Sequence, residues 1–191
     1  PPQRRCAALP YNRVLSATTQ STAANSDATY TANFVEVTDG SSGAFVGASD
    51  DAYVRDGDGA DINYGQDAQL QAKNSNDAGK TRYAYFRFAI GAAEMNTAKL
   101  RVFGSLSSIG DLVPTYAYGV NPAWSEGIIT FNNRPQFIGN PIAAQTVADQ
   151  VGRWYEFDVS TYVKQARQNG ATAVSFALAQ NGNSSPFAGF N

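Results

Sequence analysis

The chain has 191 residues, 43% of them hydrophobic and only 16% charged, with a formal net charge of −2. This balance excludes nucleic acid as the main partner, because phosphate binding wants a basic domain. Histidine is absent and cysteine occurs once, as Cys6, which removes Ser-His-Asp and Cys-His catalysis, His-dependent zinc sites and any intramolecular disulfide. The length suits one β-sandwich domain with an extra segment attached. Abundant Tyr and Phe among frequent Gly and Pro form the composition of short strands separated by turns, and the uncharged polar surface reads as that of an extracellular or cell-surface protein. No run approaches the roughly 18 apolar residues of a membrane span. Arg4 and Arg5 lead into no apolar stretch, so the start does not read as a signal peptide.

In chain order, residues 1–43 read as an irregular arm or linker, with Pro1, Pro2 and Pro10 and a stretch rich in Ser, Thr, Ala and Asn. Within it, Phe34-Val35-Glu36-Val37 is the first strand-like run, closed by Asp39-Gly40. Residues 44–191 carry regular punctuation. Strands are expected over 44–48, 52–55, 69–73, 82–88, 98–104, 113–120, 128–131, 142–147, 154–159 and 173–180, with turn signals such as Asp56-Gly57, Asn121-Pro122 and Asn140-Pro141 between them. One short helix is expected, with Ser160 as its N-cap, running through Arg167 to a stop at Gly170. The pattern is that of an all-β protein, an antiparallel β-sandwich or jelly roll.

Alternation sorts the faces. It sends Leu100 and Val102 inward against Lys99, Arg101 and Phe103, and Tyr155, Phe157 and Val159 inward against Trp154, Glu156 and Asp158. Val174, Phe176 and Leu178 face the core, with Ala173, Ser175 and Ala177 outside. Ala84, Phe86 and Phe88 face the core, with Tyr83, Tyr85 and Arg87 outside.

Several ordered motifs point to one family. They are Asp51-Ala52-Tyr53-Val54-Arg55-Asp56-Gly57 followed by Ala60-Asp61-Ile62-Asn63-Tyr64-Gly65, then Arg82-Tyr83-Ala84-Tyr85-Phe86-Arg87-Phe88 and Lys99-Leu100-Arg101-Val102-Phe103-Gly104. Trp124-Ser125-Glu126 with Ile129-Thr130-Phe131-Asn132-Asn133-Arg134-Pro135, and Gly152-Arg153-Trp154-Tyr155-Glu156-Phe157-Asp158-Val159, complete the set with Phe176-Ala177-Leu178 and Asn181-Gly182-Asn183. Over about residues 44–187 the chain resembles the DNRLRE-type domains of bacteria and archaea, which overlap carbohydrate-binding module family 96. The resemblance implies a β-jelly-roll module that binds alginate-like acidic polysaccharide, with basic positions matching Lys73 and Arg82 in its glycan groove. The family pattern continues past the turn at 181–186 into a final strand, whereas this chain stops at Asn191, so a sandwich short of its last strand is expected.

The residues themselves agree with a polysaccharide partner. Lys73, Lys80, Arg82, Arg87, Lys99 and Arg101 gather nearly half of the fourteen cations into thirty residues, and Tyr83, Tyr85, Tyr116 and Tyr118 lie among or near them. Arg forks a uronate carboxylate, Lys adds a point charge and an aromatic ring stacks on a sugar face. An ordinary solvated face is the competing reading, and Gln69 and Gln71 add no charge beside it. Asp51, Asp56, Asp58 and Asp61 form an oxygen-only set in a Gly-rich loop, which a Ca²⁺ ion would need. EF-hand spacing fails there, since Asp61 stands where the loop wants Gly, and turn chemistry explains the same aspartates.

Trp124, Glu126 and Asn132-Asn133 tempt a catalytic reading, but a glycosidase needs two convergent carboxylates about 5–9 Å apart. Nothing sets Glu156 or Asp158 opposite Glu126, so Trp124 is expected to plug one end of the sandwich and the Asn pair to fix a connection. A non-catalytic module is the expectation. The alternative is a self-assembling subunit of an extracellular filament or surface layer, in which Phe34, Val35 and Val37 complete a copy of the same chain by strand donation.

Overall fold

The computed structural model describes residues 33–37, 44–91 and 95–191. Cys6, the arm before Asn33 and the Asp39-Gly40 turn lie outside the described residues. The strands are β1 (Asn33–Val37), β2 (Ala44–Gly47), β3 (Asp50–Arg55), β4 (Leu70–Ala72), β5 (Arg82–Ala89), β6 (Thr97–Leu106), β7 (Val113–Val120), β8 (Phe137–Val147), β9 (Arg153–Asp158), β10 (Ala173–Gln180) and β11 (Ala188–Phe190). One helix, α1 (Ser160–Gln168), joins β9 to β10.

All strand pairs are antiparallel. The first sheet has the order β2-β1-β6-β11-β4, with β9 on the opposite side of β6, and the second has the order β3-β5-β10-β7-β8. The two form a β-sandwich. Its core is made by the residues that alternation sends inward: Phe86, Phe88, Leu100, Val102, Phe157, Phe176 and Leu178 are fully buried and belong to one cluster. Burial of such a set supplies the main driving force for holding the sheets face to face. No helix among the described residues is long and apolar enough to cross a membrane.

Four local expectations are corrected. First, residues 128–131 form turns, with no strand. Asn63 Nδ2 donates to the carbonyls of Glu126 and Ile129 at 2.6 and 2.7 Å, and Asn133 donates to the Ile128 carbonyl while accepting from the Thr130 N–H. Side-chain amides thus take the backbone groups that a strand partner would use.

Second, the connection containing these turns lies on the outer face of the second sheet, so β10 and β5 are buried on both sides there. Ser175, Ala177 and Tyr85 are fully buried instead of outward, packed with Trp124 and Ile129 in a second cluster or against it. Trp124 therefore covers a sheet face and does not plug an end. Its Nε1 donates to Ser175 Oγ at 2.8 Å, and that hydroxyl donates to the Phe86 carbonyl.

Third, Ser160 is the first helical residue and Val159 holds the cap position. The Asp158 carboxylate accepts from the Ser160 N–H at 2.9 Å, and Ser160 Oγ accepts from the Ala98 N–H. The helix does stop at Gly170, which adopts φ +79°.

Fourth, a strand does follow the turn at 181–186. β11 lies between β6 and β4, pairing Ala188–Phe190 with Leu106 to Gly104 on one side and Ala72 to Leu70 on the other. The Asn191 N–H donates to the Phe103 carbonyl, and β1 then takes up the same edge of β6 with Asn33 opposite Arg101. β11 and β1 therefore lie end to end along one strand of the same chain.

Candidate functional site: a cationic corner and an outer sheet face

β4 belongs to the first sheet and β5 to the second, and the chain crosses between them at an antiparallel bridge of Lys73 with Arg82. Reciprocal backbone bonds fix this corner: the Lys73 N–H donates to the Arg82 carbonyl at 2.9 Å and the Arg82 N–H to the Lys73 carbonyl at 2.8 Å. The intervening turn is tied inward by Asp56, whose carboxylate accepts from the Thr81 N–H at 2.8 Å. The turn at 181–186 closes the other wall. Gln180 Oε1 accepts from the Asn74 N–H and from Ser184 Oγ, while Lys73 Nζ donates to the Ser185 carbonyl at 2.6 Å.

These walls enclose a cleft of about 340 Å³ lined by Lys73, Ser75, Asp77, Lys80, Asp111 and residues 183–185. Lys80 pairs with Asp77 at 2.9 Å, and hydrogen bonding to Lys80 holds the Asp77 carboxyl below its ordinary value. Burial lowers the Lys73 ammonium, with Arg82 and Lys80 adding repulsion against the opposing pull of Asp77. Arg82 lies over the Phe187 ring at 5.1 Å, and its Nε is buried with no hydrogen-bond partner among the described residues. The cleft thus presents two cations, Lys73 and Lys80, interleaved with two acids and short hydroxyl side chains, with Arg82 half-buried beside Lys73. Such a cleft can take a carboxylate-bearing, hydroxyl-rich ligand.

The other basic and aromatic residues singled out from sequence do not join this corner. Arg87 pairs with Asp50 at 2.9 Å on β3. Tyr85 is fully buried, its hydroxyl donating to the Pro135 carbonyl and its ring edge-on to Trp124, so it offers no surface. Burial also pushes its phenol well above the ordinary value. Tyr83 is half-buried beside Phe131 and Phe137, and Arg134 lies over the Tyr83 and Phe131 rings at 5.6 and 3.5 Å. Tyr118 stacks on Phe137 at 4.4 Å. Lys99 and Arg101 stand on the outer face of the first sheet, both paired with Glu156 at 2.7 and 2.9 Å.

The aspartates separate as well. Asp56 serves Thr81, Asp61 accepts from Asn132 Nδ2 at 2.6 Å, and Asp58 sits exposed in the 3₁₀ turn Gly57–Gly59. Asp51 adjoins Asp50 and Glu126, and burial followed by those two charges raises its carboxyl above the ordinary value. Among the described residues, no three acidic, His or Cys side chains form a group that could hold a metal ion, and Asp51, Asp56, Asp58 and Asp61 are not brought together as a set. Glu126 is engaged too: its carboxylate accepts from the Asp51 N–H and its own N–H donates to Asp50 Oδ1. Phe34, Val35 and Val37 fall on β1, which pairs with β2 and β6 of its own chain.

Sequence reasoning placed neither Asp111 nor residues 183–185 in the cleft: Asp111 carries no local pattern, and Asn181-Gly182-Asn183 marks a turn without showing that it folds against Lys73. It also gave Arg134 no role, although its place between Asn133 and Pro135 in the motif that ends at Pro135 was a usable signal.

The profile of carbohydrate-binding module family 96 matches residues 43–191 of the chain. No curated protein matches it.

Proposed function

We propose that this chain, which belongs to carbohydrate-binding module family 96, binds an acidic, alginate-like polysaccharide outside the cell without transforming it. The observation that carries this reading is the pair of cations Lys73 and Lys80, which line a cleft together with serine hydroxyls, Lys73 being fixed there by its backbone bridge to Arg82. A uronate carboxylate entering there meets the ammonium groups of Lys73 and Lys80, while Ser75, Asn183 and Ser185 face its hydroxyls. Asp77 and Asp111 favour a ligand with spaced carboxylates and free hydroxyls over one of continuous high charge. Binding without catalysis is supported by the separation of Glu126, tied to β3, from Glu156, tied to Lys99 and Arg101 on the first sheet. Hydrolysis would need two such groups facing one bond.

Affinity electrophoresis through alginate-containing gels tests the proposal. Retardation is expected, and Lys73→Ala with Lys80→Ala should weaken it about tenfold or more, since charged hydrogen bonds contribute roughly 1.5–3 kcal/mol each. Unretarded migration of the folded protein, or retardation untouched by both substitutions, would overturn it. A calcium requirement is tested in the same gels by adding a chelator, which should leave retardation unchanged if no ion takes part.

A second reading is favoured by the end-to-end meeting of β11 and β1 on β6. β1 precedes the residues matched to the family, yet lies between β2 and β6 in the family domain's first sheet. We infer that copies can exchange β1, with Phe34, Val35 and Val37 as the donated run, and so link head to tail. Negative-stain images of concentrated protein should show chains of subunits. A single monomeric species at all concentrations would exclude this.

A further inference from the structure

On the outer face of the first sheet, four side chains from three strands form one row. Phe45 of β2 and Trp154 of β9 flank Arg101 of β6, whose guanidinium lies 5.7 Å from the Phe45 ring and 4.8 Å from the Trp154 ring. Phe103 continues the row, edge-on to Trp154 at 5.5 Å. Phe45 is 63% exposed and Trp154 40% exposed. Trp in particular is highly buried on average, so two large exposed rings flanking one guanidinium call for an explanation.

The rings are held in place. Arg101 is clamped by the ion pair of its Nε with Glu156 at 2.9 Å as well as by the two rings. Gly152 lies so close under Phe103 that a Cβ there would meet that ring at 2.5 Å. Lys99 shares Glu156 with Arg101, and Asp158 of β9 stands in register opposite Lys99, so two carboxylates face the two cations. The row is therefore preorganised, and binding to it orders few side chains.

Its chemistry selects the occupant. A protein partner needs a contiguous interface of about 800 Å² per side with an apolar centre, whereas here charged groups interrupt the apolar area at every step. A polyanion would have to compete with Glu156 for both cations. A sugar ring whose hydroxyls are all equatorial presents flat C–H faces and a polar rim, matching exposed rings interleaved with ion-paired donors and acceptors. Both exposed rings approach the same guanidinium, so their separation lies within the reach of a disaccharide. We propose that this face binds a neutral, β-linked, gluco-configured polysaccharide, with sugar rings stacked on Trp154 and Phe45 and hydroxyls bonded to Lys99 and Glu156. The proposal rests on the family's carbohydrate-binding character but uses no residue of the Lys73–Arg82 cleft.

Titration of the full chain with cellohexaose tests it. Trp154 is the exposed indole and Trp124 the buried one, so tryptophan fluorescence should change saturably with cellohexaose, and insoluble cellulose should deplete the protein from solution. Trp154→Ala should weaken depletion at least tenfold, Phe45→Ala less so, and Trp154→Phe should restore part of the loss by keeping a ring. Lys73→Ala with Lys80→Ala should leave cellohexaose binding intact, and Trp154→Ala should leave alginate retardation intact. Absence of cellohexaose binding, or binding that survives Trp154→Ala and Phe45→Ala together, would overturn the proposal while leaving the cleft reading standing. Loss of alginate retardation in Trp154→Ala alone would overturn both assignments, because it would put the acidic ligand on this face.

Discussion

Trp124 Nε1, Ser175 Oγ and the Phe86 carbonyl form a short hydrogen-bonded relay in a buried setting. Trp124→Phe keeps an aromatic ring over Tyr85 but removes the donor and leaves a void. A loss of about 1–3 kcal/mol is expected by chemical denaturation, with alginate retardation unchanged. A second residue-scale prediction concerns Asp51, whose carboxyl is raised by burial and then by Glu126 and Asp50. A raised carboxyl favours its protonated form, so its unfavourable contribution is absent below the ordinary carboxylate range and grows as pH rises through the raised value. Asp51→Asn should therefore raise the thermal midpoint near pH 7 and change it little near pH 3; an equal effect at both would contradict this cause. Neither role could be read from the sequence. Trp124 and Asp51 each stood out by motif, but their partners lie 51 and 75 residues away.

At the scale of elements, alternation identified the inward face of β5, β6, β9 and β10, because period-two burial follows from the pleat alone. It misjudged the outward face of β5 and β10, because a loop, and no strand, covers it, and loops carry no period. The fit of that loop is tight at Gly65, where a Cβ would meet the Glu126 carbonyl oxygen at 2.2 Å. Gly65→Ala should destabilise by roughly 1–3 kcal/mol through forced backbone displacement, measurable as a lower denaturation midpoint. β11 escaped notice because three residues, one of them Gly, are too few to show alternation. β1 was legible as a strand, but its pairing partners were not. Val35 is paired in register with both Phe45 and Lys99, and Val35→Pro removes one N–H from that ladder. A lower thermal midpoint is expected in the monomer, together with loss of any linked subunits. An unchanged midpoint would show that β1 contributes nothing to the sheet.

For the whole molecule, the cations singled out from sequence divide among surfaces with different chemistry. Lys73, Lys80 and Arg82 meet at the corner where the chain passes from one sheet to the other. Lys99 and Arg101 lie among exposed rings on the first sheet, and Arg87 is held by Asp50. Charge density along the chain could not reveal this division, since strands adjacent in sequence serve opposite sheets. What the linear pattern did carry was the antiparallel sandwich and its carbohydrate-binding kinship, because both rest on motifs spread through most of residues 43–191. The most direct test of the corner as the acidic-glycan site is an amide chemical-shift titration of the full chain with oligoguluronate. Saturable shifts are expected at residues 73–82, at Asp111 and at 183–185, reduced by added salt because exposed charges are screened. Shifts confined to the Trp154 face, or none at saturating oligosaccharide, would contradict it.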